Sequence, residues 1–136
     1  MVKDTDLIAK KLAFVETCVR ELREVARIEL IEDDVRERRF IEHTLQIAIQ
    51  AALDVASYIV SDERLGEPRT NGELFEILAR NGWVSQDLSP TLRKMAGFRN
   101  VLVHGYATVD PELLRTVAGR HLDDLESYVA AIRARL

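Results

Sequence analysis

The sequence at positions 41–59 reads IEHTLQIAIQAALDVASYI, and its apolar residues recur every three or four positions. The same spacing occurs near both ends of the chain, in the series Ile8, Leu12, Val15, Val19, Leu22 and Ala26, and in the series Ala118, Leu122, Leu125, Val129, Ile132 and Leu136. This period places an apolar stripe on one face of a helix. Because no segment alternates with period two, we expect an all-α fold without a sheet.

Capping signals divide the chain into about five helices. Asp or Ser at an N-cap, Pro at the first helical position and Asn-Gly after the last turn are the usual boundary residues. They predict helices from Asp4 or Thr5 to about Ile28, from about Asp34 to Asp62, from an Asn71 cap to about Arg80 before Asn81-Gly82, from Ser89-Pro90 toward Val103, and from Asp110-Pro111 to about Arg135. Short connections between them favour an antiparallel bundle forming one domain over residues 1–136.

The composition restricts the class of protein. With 47% hydrophobic and 31% charged residues the chain reads as an ordinary globular domain. Its net charge of −4 argues against a broad basic face for duplex DNA. The single cysteine and three well-separated histidines predict neither a disulfide nor a structural metal site, and no cofactor is expected.

We expect a cytoplasmic protein with no membrane segment. The N-terminal residues are charged and lack the apolar core of a secretory signal. The longest apolar stretch, Leu45 to Val60, is interrupted by polar residues and is shorter than the roughly 20 residues that span a bilayer.

The residues that can carry chemistry are concentrated at positions 97–106, which read GFRNVLVHGY. Arginine offers a permanent cationic fork for phosphate, and histidine is the side chain suited to proton transfer near neutral pH. Arg99 and His104 could therefore cleave RNA: the imidazole would take the proton of a ribose 2′-hydroxyl, and the guanidinium would stabilise the charge on the attacked phosphate. A structural role, with the histidine capping carbonyls and the arginine pairing with a carboxylate, is the alternative.

The spacing restricts how these groups can meet. Five positions along a helix correspond to a rotation of about 500°, which is about 140° beyond one full turn, so Arg99 and His104 do not share a face. Asn100 and His104, which are four positions apart, do share one. Asn100 could orient the imidazole. For Arg99 and His104 to converge, the helix must end or bend near His104, as Gly105 would allow, or a second copy of the chain must contribute.

The run KMAGFRNVLVHGY at 94–106 resembles the Arg-x4-His-x-Tyr signature of the HepT-like branch of the HEPN superfamily. The resemblance extends over most of the chain. Positions 45–59 are similar to the second helix of the family, Leu65-Gly66 and Pro68 to the loop after it, and Asn81-Gly82-Trp83 to the approach to the motif helix.

This resemblance implies an all-α homodimer with two motifs at the dimer cleft, acting as a metal-independent ribonuclease toxin. Its partner would be an MntA-type minimal nucleotidyltransferase antitoxin that transfers AMP from ATP to the motif tyrosine. Carried over residue by residue, Arg99 and His104 are catalytic, Asn100 is a supporting polar residue and Tyr106 is the modified one. Family members often carry an acid where this chain has Gln50, which leaves open whether that acid serves the site or is a buried polar partner.

Other polar residues have weaker assignments. Asp54 lies within an apolar helix and should meet a cation or a donor, because burying an unpaired carboxylate is costly. Arg93 and Lys94 are candidate RNA contacts beside the motif, ahead of the cluster Arg36, Arg38 and Arg39. His43, His121, Trp83, Tyr58 and Tyr128 are expected to be surface, packing or interface residues.

A second class of function stays open at this point. The chain could be a non-catalytic helical subunit of a nucleotidyltransferase, with the Arg–His cleft holding a nucleotide or a substrate for its partner. The acidic net charge favours this interpretation slightly, whereas the combination of Arg99, Asn100, His104 and Tyr106 favours the nuclease.

Overall fold

The computed structural model describes residues 3–104 and 109–136, and these contain only helices, turns and loops. Six α-helices are present in this part of the chain: α1 Thr5–Glu24, α2 Val35–Asp62, α3 Asn71–Arg80, α4 Ser89–His104, α5 Pro111–Arg120 and α6 Leu122–Arg135. A short 3₁₀ turn, Ile28–Leu30, precedes α2. The all-α prediction is confirmed.

Side-chain caps set most of the helix starts. The carboxylate of Asp4 accepts from the Leu7 amide, that of Asp34 from the Arg36 and Glu37 amides, and that of Asp110 from the Glu112 amide. Each bond satisfies an amide that has no partner inside its helix. The N-cap of α3 is Thr70, one residue before the predicted Asn71.

Two predicted boundaries were wrong. The first helix ends at Glu24 rather than near Ile28, because the chain turns into the 3₁₀ segment and the Arg27 amide donates to the Glu37 carboxylate at 2.5 Å. The last predicted helix is two helices, because the backbone leaves helical geometry at His121, with φ −95° and ψ 3°. The side-chain stripe continues in phase across this break, so its periodicity did not reveal it.

The helix α2 forms the centre of the core. Twelve of its residues are buried, more than in any other helix of the described segments. By length and composition alone this 28-residue helix could cross a membrane, but 61% of its most apolar window is buried inside the fold. The Tyr128 hydroxyl donates to the Ala52 carbonyl at 2.8 Å and so joins α6 to the middle of α2.

Long-range pairs define the direction of the helices. Glu16 pairs with Arg133, and Arg23 pairs with Asp123, so α6 is antiparallel to α1. Lys11 near the start of α1 reaches Asp54 in the second half of α2, so these two helices are also antiparallel. The helices α2 and α6 therefore run parallel to each other, and the predicted antiparallel packing is found for the α1–α2 and α1–α6 pairs.

The direction of α4 follows from the segments at its two ends. Trp83, which precedes α4, is covered by the Arg135 guanidinium at 4.3 Å from its ring centre, at the end of α6. Arg115 of α5, which follows α4, donates to Glu32 just before α2 at 2.7 Å. The helix α4 therefore starts beside the C-terminal half of α2 and runs back toward its N-terminal end.

Candidate functional site

The helix α4 carries the motif and is anchored by its apolar face. Leu92, Met95, Ala96 and Phe98 are buried in the core. Because buried side chains fix the rotation of the helix about its axis, they also fix where its polar residues lie. Arg99 and Asn100 are half-buried, and His104 at the end of α4 is exposed.

The Arg99 guanidinium is held by its neighbour in sequence. Arg99 Nη1 donates to Asn100 Oδ1 at 3.0 Å. Arg99 lies four residues after Met95 and therefore on the inward side of α4, whereas Asn100 lies on the same side as His104. The bond therefore draws the cation around the helix toward the histidine side, which the spacing of five residues alone did not predict.

The same bond fixes the orientation of the Asn100 side-chain amide. Its Oδ1 atom accepts from Arg99, so the oxygen of this amide faces the guanidinium, and the orientation of the imidazole by Asn100 stays a prediction. Gly105 and Tyr106 lie outside the described residues, so the predicted helix end at Gly105 and the candidate modification site at Tyr106 stay predictions. A basic residue such as His104 in the last turn suits the negative end of the helix dipole.

A second polar cluster joins α1 to α2. Gln50 Nε2 donates to Asp54 Oδ1 at 2.8 Å, and Lys11 Nζ donates to Asp54 Oδ2 at 3.0 Å. The prediction that Asp54 meets a cation or a donor is confirmed, and it meets one of each. Lys11 was missed by sequence reasoning, because its pairing with a residue 43 positions away depends on how two helices pack.

Two buried polar atoms lack a hydrogen bond to any described residue. They are the Oε1 atom of Gln50, an acceptor, and the Nε atom of Arg99, whose hydrogen makes it a donor. Buried polar atoms are almost always paired in folded proteins, so such atoms point to a strained, catalytic or ligand-binding place.

The two candidate RNA contacts next to the motif differ in their surroundings. Arg93 forms an ion pair with Glu76 of α3, and its stem lies against Gly72, where an added Cβ would come within 2.7 Å of Arg93 Cγ. Lys94 is exposed on the outer side of α4. Arg93 is thus engaged in packing α3 against α4, whereas Lys94 projects into solvent beside the motif.

The remaining candidates are divided between the core and the surface. Trp83 and Tyr128 are buried, whereas Tyr58 is 41% exposed and therefore is not a core residue. His43 is exposed, and His121 Nδ1 lies 2.9 Å from Asp124 Oδ2 at the junction of α5 and α6. Of the arginine cluster at the start of α2, Arg36 and Arg39 are exposed and Arg38 is half-buried.

The outer side of α4 carries apolar surface beside the motif. Val101 is 49% exposed and Val103 is 41% exposed. One turn before Val101, an added Cβ at Gly97 would meet no atom within 4 Å. Within residues 3–104 and 109–136, no three His, Cys, Asp or Glu side chains are grouped to hold a metal ion.

Comparison with known proteins identifies the family. The sequence profile described as ribonuclease HepT-like matches residues 15–132. The chain belongs to the ribonuclease HepT-like family. This HepT-like chain is 30% identical to the mRNA nuclease HepT of Shewanella oneidensis, over 95% of this chain and 98% of that protein. It is 26% identical to the tRNA nuclease HepT of Aphanizomenon flos-aquae, over 96% of this chain and 90% of that protein.

Solved structures agree with this assignment. The tri-AMPylated HEPN toxin of Shewanella oneidensis, in complex with an MNT antitoxin, superposes with a TM-score of 0.88 and 30% sequence identity, covering 96% of this chain and 98% of that one. The all-α bundle described above is therefore a HEPN-like fold, and the helix that carries Arg99 and His104 in this HepT-like chain is α4.

Proposed function

We propose that this HepT-like chain is a metal-independent endoribonuclease and the toxin of a cytoplasmic toxin–antitoxin pair. Support comes from its membership of a ribonuclease family and from two relatives described as RNA nucleases. The observation that carries the proposal is the bond from Arg99 Nη1 to Asn100 Oδ1, because it presents a phosphate-binding cation toward the side of α4 that bears His104.

The proposed reaction is an attack within the RNA chain. His104 takes the proton of a ribose 2′-hydroxyl, and the 2′-oxygen forms a bond to the adjacent phosphorus. The bond from phosphorus to the 5′-oxygen breaks, and that oxygen leaves with a proton taken from water, while His104 later returns its own proton to water. The products are a 2′,3′-cyclic phosphate and a 5′-hydroxyl. Arg99 stabilises the additional negative charge on the phosphoryl oxygens in the transition state.

We place the reaction in a cleft between two copies of the chain. Val101 and Val103 expose apolar surface next to the motif, and Gly97 leaves room for another backbone to approach α4. Burial of such a surface in a symmetric dimer would bring two α4 helices together, and with them two sets of Arg99 and His104. Lys94, at the exposed edge of the motif, would then contact the RNA backbone.

Neutralisation is proposed to occur at Tyr106. The Shewanella oneidensis HEPN toxin whose structure resembles this chain is tri-AMPylated and is bound to an MNT antitoxin. We propose that a nucleotidyltransferase of this kind attaches AMP to the hydroxyl of Tyr106, two residues after His104. The added phosphate would bring negative charge to Arg99 and bulk to the path of the RNA.

The first test is cleavage of RNA in EDTA by protein made without an antitoxin. The parent and a His43→Ala control, which removes an exposed histidine elsewhere on α2, should cleave. His104→Ala and Arg99→Ala should not, and the product ends should be a cyclic phosphate and a 5′-hydroxyl. Cleavage by all four proteins would refute the site. No cleavage by any, together with binding of a nucleotide, would favour the alternative of a non-catalytic nucleotidyltransferase subunit.

The modification is tested by incubating the chain with ATP and an MNT-type nucleotidyltransferase. Intact mass should increase by AMP units for the parent and for Tyr58→Phe, which removes the hydroxyl of an exposed tyrosine on α2. Tyr106→Phe should gain none. AMP found on Tyr106→Phe at the parent level would show that a different residue is modified.

A further inference from the structure

We propose that Gln50 is a positioning residue for Arg99, held in its working orientation by Asp54 and Lys11. This inference rests on the proposed ribonuclease function and names a residue outside the Arg-x4-His motif that the reaction needs. The starting observation is that Gln50 Oε1 and Arg99 Nε are both buried without a hydrogen bond to any residue in the described ranges. One is an acceptor and the other carries a donor hydrogen, so each can satisfy the other.

The fold brings the two residues to the same region. Gln50 lies in the middle of α2, and α4 runs antiparallel along α2 from its C-terminal half toward its N-terminal end. Arg99 is on the inward side of α4, in line with the buried Met95. The polar end of Arg99 and the amide of Gln50 thus belong to two helices that pack against each other.

The orientation of the Gln50 amide is not free. Its Nε2 donates to Asp54 Oδ1 at 2.8 Å, and Asp54 also accepts from Lys11 at 3.0 Å. A carboxylate only accepts hydrogen bonds, so the NH₂ group of Gln50 must face Asp54 and the Oε1 atom must face away from it. Asp54 therefore presents Gln50 as an acceptor, and an acceptor is what an arginine Nε–H requires.

The guanidinium would then be held at two points. Asn100 Oδ1 accepts from Nη1 in the structure, and Gln50 Oε1 would accept from Nε when RNA phosphate draws Arg99 into place. The remaining N–H groups stay available for the phosphoryl oxygens, which match the planar fork of arginine. Holding the plane of the cation in this way lowers the cost of ordering it during the reaction.

The test compares Gln50→Leu with Gln46→Leu, which changes a half-buried glutamine one turn earlier on the same helix. Loss of one hydrogen bond to a charged group should lower kcat about tenfold for Gln50→Leu, with KM for RNA unchanged. Gln46→Leu should keep the parent kcat. Asp54→Asn should also lower kcat. The new asparagine can donate to Gln50 as well as accept from it, so it no longer fixes the orientation of the Gln50 side-chain amide.

A double variant provides the rescue. Gln50→Glu combined with Asp54→Asn keeps one carboxylate and one amide but exchanges their positions, so position 50 again offers Arg99 an acceptor. Its kcat should exceed that of Gln50→Leu and of Asp54→Asn alone. Equal kcat for the parent and Gln50→Leu, or a change confined to KM, would overturn the proposal. A melting temperature within a few degrees of the parent is required of every variant compared.

A readout without catalysis separates this inference from the proposed function. The Arg99 Nε–H resonance, assigned by its disappearance in Arg99→Lys, is followed by ¹⁵N NMR in the presence of a 2′-deoxy oligonucleotide that cannot be cleaved. Its hydrogen exchange should slow in the parent and not in Gln50→Leu. If no RNA is cleaved but this difference appears, the positioning holds and the nuclease proposal fails. If RNA is cleaved and the difference is missing, the positioning fails alone.

Discussion

The bond between Arg99 and Asn100 gives a quantitative expectation for Asn100→Ala. The substitution removes the acceptor at 3.0 Å and leaves the guanidinium with its charge. A hydrogen bond to a charged group contributes about 1.5–3 kcal/mol, and 1.36 kcal/mol corresponds to tenfold in rate. Because Arg99 is only half-buried, water can replace part of the bond, so the lower end of this range applies. The expected loss is about tenfold in kcat.

The assay is single-turnover cleavage of a labelled RNA in EDTA with enzyme in excess, so that product release does not contribute. Asn71→Ala, at the exposed start of α3, is the matched control and should match the parent. In a double-mutant cycle, Asn100→Ala should cost little in an Arg99→Lys background, because the interaction partner is already changed. If Asn100→Ala costs as much in that background as in the parent, Asn100 does not act through Arg99 and the reasoning is refuted.

Three further predictions concern the fold. Tyr128→Phe should lower the free energy of unfolding in urea by about 1 kcal/mol, because the hydroxyl that donates to Ala52 is lost while the buried ring remains; a loss of more than about 3 kcal/mol would contradict this. Arg64 follows α2 in a left-handed conformation with φ 52°. Because glycine adopts this conformation without strain, Arg64→Gly should raise the free energy of unfolding by about 0.5–1 kcal/mol. A decrease would show that contacts of the arginine side chain contribute more to stability than the backbone strain costs. Burial raises the pKa of the Cys18 thiol to about 11, so a thiol reagent at pH 8 should modify it far more slowly in the folded chain than in urea. Since the folded-state pKa is the higher one, this thiol lowers stability as the pH rises from about 8.5 toward 11, and Cys18→Ala should remove that part of the pH dependence.

Local signals in the sequence predicted most of the helix ends. The Asp4, Asp34 and Asp110 caps act within three residues of themselves, so their effect can be read without knowledge of the fold. The break at His121 could not be predicted, since the apolar stripe continues in phase from α5 to α6. The same holds for Glu24, where α1 ends early because the chain turns back toward α2.

The candidate site was predictable in its residue types and less so in its contacts. The motif singled out Arg99, Asn100 and His104, and the need for charge compensation predicted a partner for Asp54. The partner itself, Lys11, comes from another helix and requires the register of α1 on α2. The engagement of Asn100 by Arg99 also depends on a side-chain rotamer, which helical periodicity does not specify.

The contact between Trp83 and Arg135 has a consequence for how the helix that carries the motif becomes ordered. Trp83 lies just before α4, and the group that covers its ring is supplied by the end of α6, where Arg135 also donates to the Asn81 carbonyl at 2.8 Å. A ribosome makes the tryptophan well before it makes the arginine. During synthesis, Trp83 therefore lacks its contact with Arg135 until α6 has emerged and packed against the other helices. A nascent chain that stops short of Arg135 would carry every residue of the motif and still lack the guanidinium that covers Trp83 and donates to the Asn81 carbonyl.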